Sequence, residues 1–130
     1  MSVACLVMSA PAARAADWTP AKWGDEQTLQ FRTDCPGEGE HWSYVWVAVI
    51  DGDLYVRLGS QAASRVDCSS TKPMTSIRIA GAQFDDVEMI QSPQMATRVA
   101  DFMANKYWLD LGVRYMNHPY TMKLVQKSSA

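Results

Sequence analysis

Trp42-Ser43-Tyr44-Val45-Trp46-Val47-Ala48-Val49-Ile50-Asp51-Gly52-Asp53-Leu54-Tyr55-Val56-Arg57-Leu58 is the stretch from which the fold is read. Successive side chains of an extended chain point to opposite faces. Val45, Val47 and Val49 therefore share one face, and Tyr44, Trp46, Ala48 and Ile50 share the other. Residues 42–50 read as one strand, and a strand apolar on both faces is expected to be covered on both. Asp51-Gly52 supplies a two-residue hairpin, whose favoured turn needs positive φ at both centres. Residues 53–58 return as the partner strand, with Leu54, Val56 and Leu58 alternating against Tyr55 and Arg57.

Working outward, residues 28–33 alternate through Leu29 and Phe31 as a half-buried strand, and Trp18 and Trp23 before them lay rings on the body. Residues 34–40, around Pro36-Gly37, are a polar turn-rich loop. Residues 59–71 are small and polar and read as a long connection. Alternation resumes over 74–80 through Ile77 and Ile79. Gly81-Ala82 turns the chain into an arm over 83–91, where a slip at Asp85-Asp86 signals a bulge. Ser92-Pro93 opens a helix as hydroxyl cap and first-turn proline. Met95, Val99, Phe102 and Met103 then form one apolar stripe, and the helix ends near Tyr107-Trp108 or runs irregularly to Gly112. Residues 120–126 close the chain as a last strand. About six strands and one helix joined by short hairpins predict a mostly β, small α+β antiparallel barrel, the helix plugging an end or packing on a face.

A chain of 130 residues fits one domain. About half its residues are apolar, and five Trp, five Tyr and three Phe supply core material. A net charge of -2 argues against a nucleic-acid binder. The apolar run Val3 to Ala10, followed by Pro11 and Ala13-Arg14-Ala15, has the form of a secretory signal, although no Lys or Arg precedes it. The run is too short to span a bilayer. The expectation is a removable leader over residues 1–15, one domain over 16–130, and a periplasmic or secreted product. Cys5 leaves with that leader. Cys35 and Cys68 remain, either paired in an oxidising compartment or free. With His41 and His118 they form no convincing metal set.

The run from Tyr44 to Arg57 resembles a segment of the split-barrel flavin-binding proteins, which include pyridoxamine-phosphate-oxidase-like enzymes and deazaflavin-dependent nitroreductases. In particular it is similar to a small group carrying a WxVVVDGxLYVR core. The following order is also similar: a Gly/Ser loop with an Arg, then Lys72-Pro73-Met74-Thr75-Ser76-Ile77-Arg78-Ile79-Ala80-Gly81, a hairpin arm and a helix ending in Lys106-Tyr107. The resemblance covers roughly residues 29–125. It implies a split barrel, often dimeric, with FMN or deazaflavin phosphate held at its rim and the cofactor carrying any oxidoreductase chemistry. The positions matching its phosphate contacts are Arg57, Gly59, Ser60, Ser64 and Arg65. Guanidinium groups give charge-assisted contacts to phosphate, and small residues let backbone N–H groups approach it. Apart from the resemblance, Trp46 and Tyr55, with Trp42, Tyr44 and Trp108, read either as core rings of a two-sided strand or as walls for a planar ligand.

Residues 66–71 depart from the resembled pattern, and Asp67 places negative charge near any bound phosphate. Two readings therefore stand: a barrel binding a flavin-type or other phosphate-bearing planar cofactor, or a non-enzymatic exported barrel that has lost it and binds another small ligand or a partner chain. A barrel with no cofactor is weighted equally. Arg78 reads as a solvated strand cation or a third rim charge. His41 and His118 read as structural, and Asp51 and Asp53 as turn chemistry rather than an acid–base pair. No catalytic residue is identifiable.

Overall fold

The computed structural model describes residues 17–106 and 120–127. The expected leader, Cys5, the helix end near Tyr107, Trp108 and Gly112, and His118-Pro119 lie outside the described residues.

The chain forms β1 (Thr28–Cys35), β2 (Gly39–Trp46), β3 (Ala48–Ile50), β4 (Asp53–Leu58), α1 (Ser60–Cys68), β5 (Met74–Ile79), β6 (Ala82–Gln91), α2 (Ala96–Lys106) and β7 (Tyr120–Gln126). All described strand pairs are antiparallel, in one sheet of order β2-β1-β5-β6-β7-β4-β3. The first and last members of that order, β2 and β3, are separated in the chain by Val47 alone. The sheet must therefore curl until its two edges meet at Val47, which is fully buried.

The predicted α+β barrel is thus present, with two corrections. The strand read over 42–50 is broken at Val47, because its first half pairs with β1 and its second with β4. The side-chain alternation nevertheless runs through the break: Val45, Val47 and Val49 pack inward, while Trp46, Ala48 and Ile50 face α2. Cover on both faces extends only to the β3 half, since Tyr44 on β2 is 71% exposed. The second correction is α1, where a connection was expected. Ala62, Ala63 and Val66 make a short apolar stripe on it that packs into the barrel core.

Leu29 and Phe31 of β1, Leu54, Val56 and Leu58 of β4, and Ile77 and Ile79 of β5 fill the interior. Trp18 and Trp23 close one end as the sequence suggested, both rings lying against Phe84. At the other end sits α1, and α2 packs on the outer face over Ala48, Ile50 and Tyr55 through Val99 and Met103. One helix plugs an end and the other covers a face.

The turns follow from residue chemistry. Asp51 and Gly52 have φ of 53° and 79°, as an Asp-Gly hairpin requires. Ala80 and Gly81 adopt the same pair of angles, so the turn expected at Gly81-Ala82 begins one residue earlier. Asp85 and Asp86 stand against the single residue Ser76 where the β5–β6 register shifts, the bulge expected there. Ser92 and Pro93 open a short 3-10 turn, and the Ser92 hydroxyl donates to the Ile90 carbonyl instead of capping the helix.

Lys106 ties the last turn of α2 to the break in the closing strand. Its ammonium donates to the Glu26 carbonyl, and to the Val47 carbonyl at 3.1 Å. Burial draws its pKa below the usual lysine value, partly offset by Asp25 and Glu26. Lys106→Met keeps the packing length but removes both contacts. Its expected cost is about 1–3 kcal/mol, read by urea unfolding, with faster amide exchange along α2 as the local signature.

Candidate functional site

Arg57 and Leu58 end β4, and strand alternation sends their side chains to opposite sides of the sheet. Leu58 belongs to the interior core. Arg57 lies on the outer face with Tyr55 and opposes Thr121 across the β4–β7 pair. Its Nη1 is buried and has no hydrogen-bond partner among the described residues. Burial also lowers its pKa from the usual arginine value, because the charged form loses hydration. A shielded guanidinium nitrogen without an acceptor is costly until an acceptor reaches it. Arg32 also has an unpartnered nitrogen, Nε, but its Nη2 pairs with Asp34 at 3.2 Å. Its charge is compensated.

Two residues beyond Arg57, Gly59 caps α1 in an extended conformation with no side-chain cap bond. The first N–H groups of a helix have no partner within it, so they remain donors at this junction. Ser60, the first residue of α1, is exposed, and Ser64 one turn later is exposed as well. Arg65 turns away toward the β1–β2 hairpin, with Nε 3.2 Å from Glu38 Oε2. Asp67, the charge that departs from the resembled pattern, is 3.1 Å from Lys72 Nζ. Tyr55 is 5% exposed within the cluster beneath α2, and Trp46 packs half-buried against the same cluster. The fold thus brings Arg57, Tyr55 and Trp46 onto one outer face. It leaves Ser64 and Arg65 at the barrel end.

The remaining candidates have structural partners. Arg78 stacks over Trp42 with its guanidinium carbon 3.7 Å from the ring centre, and its Nε reaches Gln83 Oε1 at 3.0 Å. Asp51 pairs with Arg98 at 3.0 Å and Asp53 with Lys123 at 3.4 Å, as ordinary surface ion pairs. His41 is half-buried on β2. Among the described residues no three His, Cys, Asp or Glu side chains gather as a metal site. No described helix is long and apolar enough to cross a membrane.

Cys35 and Cys68 form a disulfide, with Cα atoms 5.2 Å apart, joining the end of β1 to the end of α1. The free alternative for these two residues is thereby removed.

A cavity of about 340 Å³ lies between α1 and the ends of β4, β6 and β7. Leu58, Ala63, Val66, Met89 and Met122 give it an apolar lining, and Gln91, Tyr120, Lys72 and Asp67 add polar groups. The cavity is not legible in the sequence, because residues 59–71 read there as a connection and not as α1. The signal was there in Ala62, Ala63 and Val66, which recur at helical spacing.

No family model and no curated protein matches the chain. Solved structures share its architecture, among them the following. The conserved hypothetical protein Rv2991 from Mycobacterium tuberculosis aligns with a TM-score of 0.61 over 83% of this chain and 78% of its own, at 20% identity. HutZ, the heme storage protein from Vibrio cholerae, aligns with a TM-score of 0.58 over 78% of this chain and 82% of its own, at 16% identity. The fold is split-barrel-like. At such identities the likeness carries architecture alone. Within this fold, Arg57 and the cavity lie on opposite sides of β4.

Proposed function

We propose that this chain is an exported split-barrel protein that binds a planar, anionic small molecule, with the anionic end at Arg57. The carrying observation is the shielded, unpartnered Nη1 of a charged guanidinium, which an incoming phosphate or carboxylate oxygen satisfies. Gly59 and Ser60 add uncapped helix N–H groups at the same chain junction. Flavin mononucleotide and deazaflavin bring a phosphate; heme, named in the description of HutZ, brings carboxylates. A bound flavin supplies the redox chemistry, while this chain holds the anion and excludes water around it. Export is supported by the small-x-small segment Ala13-Arg14-Ala15 and by the Cys35–Cys68 disulfide, which suits an oxidising compartment.

Titration separates the ligands. Flavin mononucleotide is expected to bind with quenched fluorescence, riboflavin, which lacks the phosphate, at least about tenfold more weakly. Heme is the parallel arm, read by its visible spectrum. Saturable binding of neither removes the proposal.

One set of observations favours a second reading, a barrel that binds no flavin. Arg65 is engaged by Glu38, and Tyr55 is packed under α2. On that reading flavin and heme both fail while other small ligands bind.

A further inference from the structure

We infer that the cavity between α1 and the ends of β4, β6 and β7 is a second binding site, taking a straight-chain amphiphile whose head accepts hydrogen bonds. It is separate from the Arg57 reading, because Leu58 faces the cavity and Arg57 faces away from it.

The size comes first. The cavity is half open to solvent and measures about 340 Å³, against roughly 150 Å³ for an enclosed apolar site that binds benzene. A methylene takes about the room of one water, roughly 30 Å³, so an extended chain of about ten carbons fills it. The lining matches such a chain. Leu58, Met89 and Met122 come from the inner faces of neighbouring strands and are each under a tenth exposed. Methionine side chains adapt to irregular apolar ligands. Ala63 and Val66 form the α1 wall, where small side chains leave the space open.

The polar groups define the head. Lys72 gives one ammonium hydrogen to Asp67 at 3.1 Å and keeps two others. Gln91 contributes an amide donor and Tyr120 a hydroxyl. The Lys72–Asp67 pair is exposed, so sharing Lys72 with a ligand costs little. Asp67 also lines the chamber, but its charge is met by Lys72. The donors left over on Lys72, Gln91 and Tyr120 therefore suit a carboxylate or an alcohol better than an ammonium head.

Calorimetric titration of the full chain with decanoate, 1-decanol, decylammonium and hexanoate tests this. Decanoate and decanol are expected to saturate at one per chain, with hexanoate at least tenfold weaker and decylammonium weaker than both ten-carbon partners. Gln91→Trp, at an exposed position on the lip, and Val66→Trp, on the α1 wall, should each weaken decanoate at least tenfold while keeping a cooperative melt. Arg57→Met should leave decanoate binding unchanged, which keeps this test apart from that of the anion site. The inference is overturned if no ten-carbon ligand saturates, if both filled variants bind like the wild type, or if decylammonium matches decanoate.

Discussion

Replacing both disulfide cysteines, Cys35→Ala with Cys68→Ser, lowers stability by about 3–4 kcal/mol. The bond closes a loop with a sequence separation of 33, and a cross-link of that span removes corresponding freedom from the unfolded chain. The native end of the barrel is held by other contacts as well. Asp34 and Ser70 join through main-chain atoms at 3.0 Å, the Ser69 hydroxyl accepts from the Asp34 N–H, and Arg65 bonds Glu38. With those contacts in place, the double variant should fold to the same barrel and unfold at lower urea with an unchanged slope. Melting should fall by more than about 10 °C. A loss below about 1 kcal/mol would mean that the unfolded chain is already compact around this loop.

Phe31→Ala is expected to cost about 3–5 kcal/mol, a large share of the roughly 5–15 kcal/mol that holds an ordinary domain. Phe31 is fully buried, opposite Ser43 of β2 and Ile77 of β5. It fills the interior where the curling sheet turns from one edge toward the other. Its control lies one strand away. Tyr44 is 71% exposed on the outer face of β2, and Tyr44→Ala should change stability by no more than about 0.5 kcal/mol. Urea unfolding of the two variants, both with the disulfide intact, distinguishes the inner from the outer face of the closing strand. Similar losses for both would contradict the curled sheet.

Strand alternation and hairpin chemistry were legible because they are local. The sidedness of Val45, Val47 and Val49, the Asp51-Gly52 turn, the bulge at Asp85-Asp86 and the apolar stripe of α2 each follow from neighbouring residues. The break at Val47 was not legible. Nothing in residues 45–49 differs from a continuous strand; the break arises because the two halves pair with strands far apart in sequence. The helix α1 was hidden by composition, since Ser60, Gln61, Ser64 and Arg65 read as loop residues and only Ala62, Ala63 and Val66 carry the pattern. With α1 unrecognised, the cavity behind it was out of reach. The candidate anion site was partly legible. Arg57 stands out by alternation, but whether Arg65 joined it depended on the position of Glu38, which sequence spacing does not report.

Arg57→Met tests directly whether Arg57 is held shielded in readiness for an anion. Methionine replaces the charged head with an apolar one and leaves no unsatisfied nitrogen. The ligand-free variant should therefore match or exceed the wild type in stability, by up to about 1 kcal/mol. Saturating flavin mononucleotide or heme should raise the melting temperature of the wild type and leave that of the variant unmoved. Equal ligand-induced shifts in the two proteins, or an Arg57→Met chain that is clearly less stable on its own, would show that Arg57 serves the fold and not a ligand.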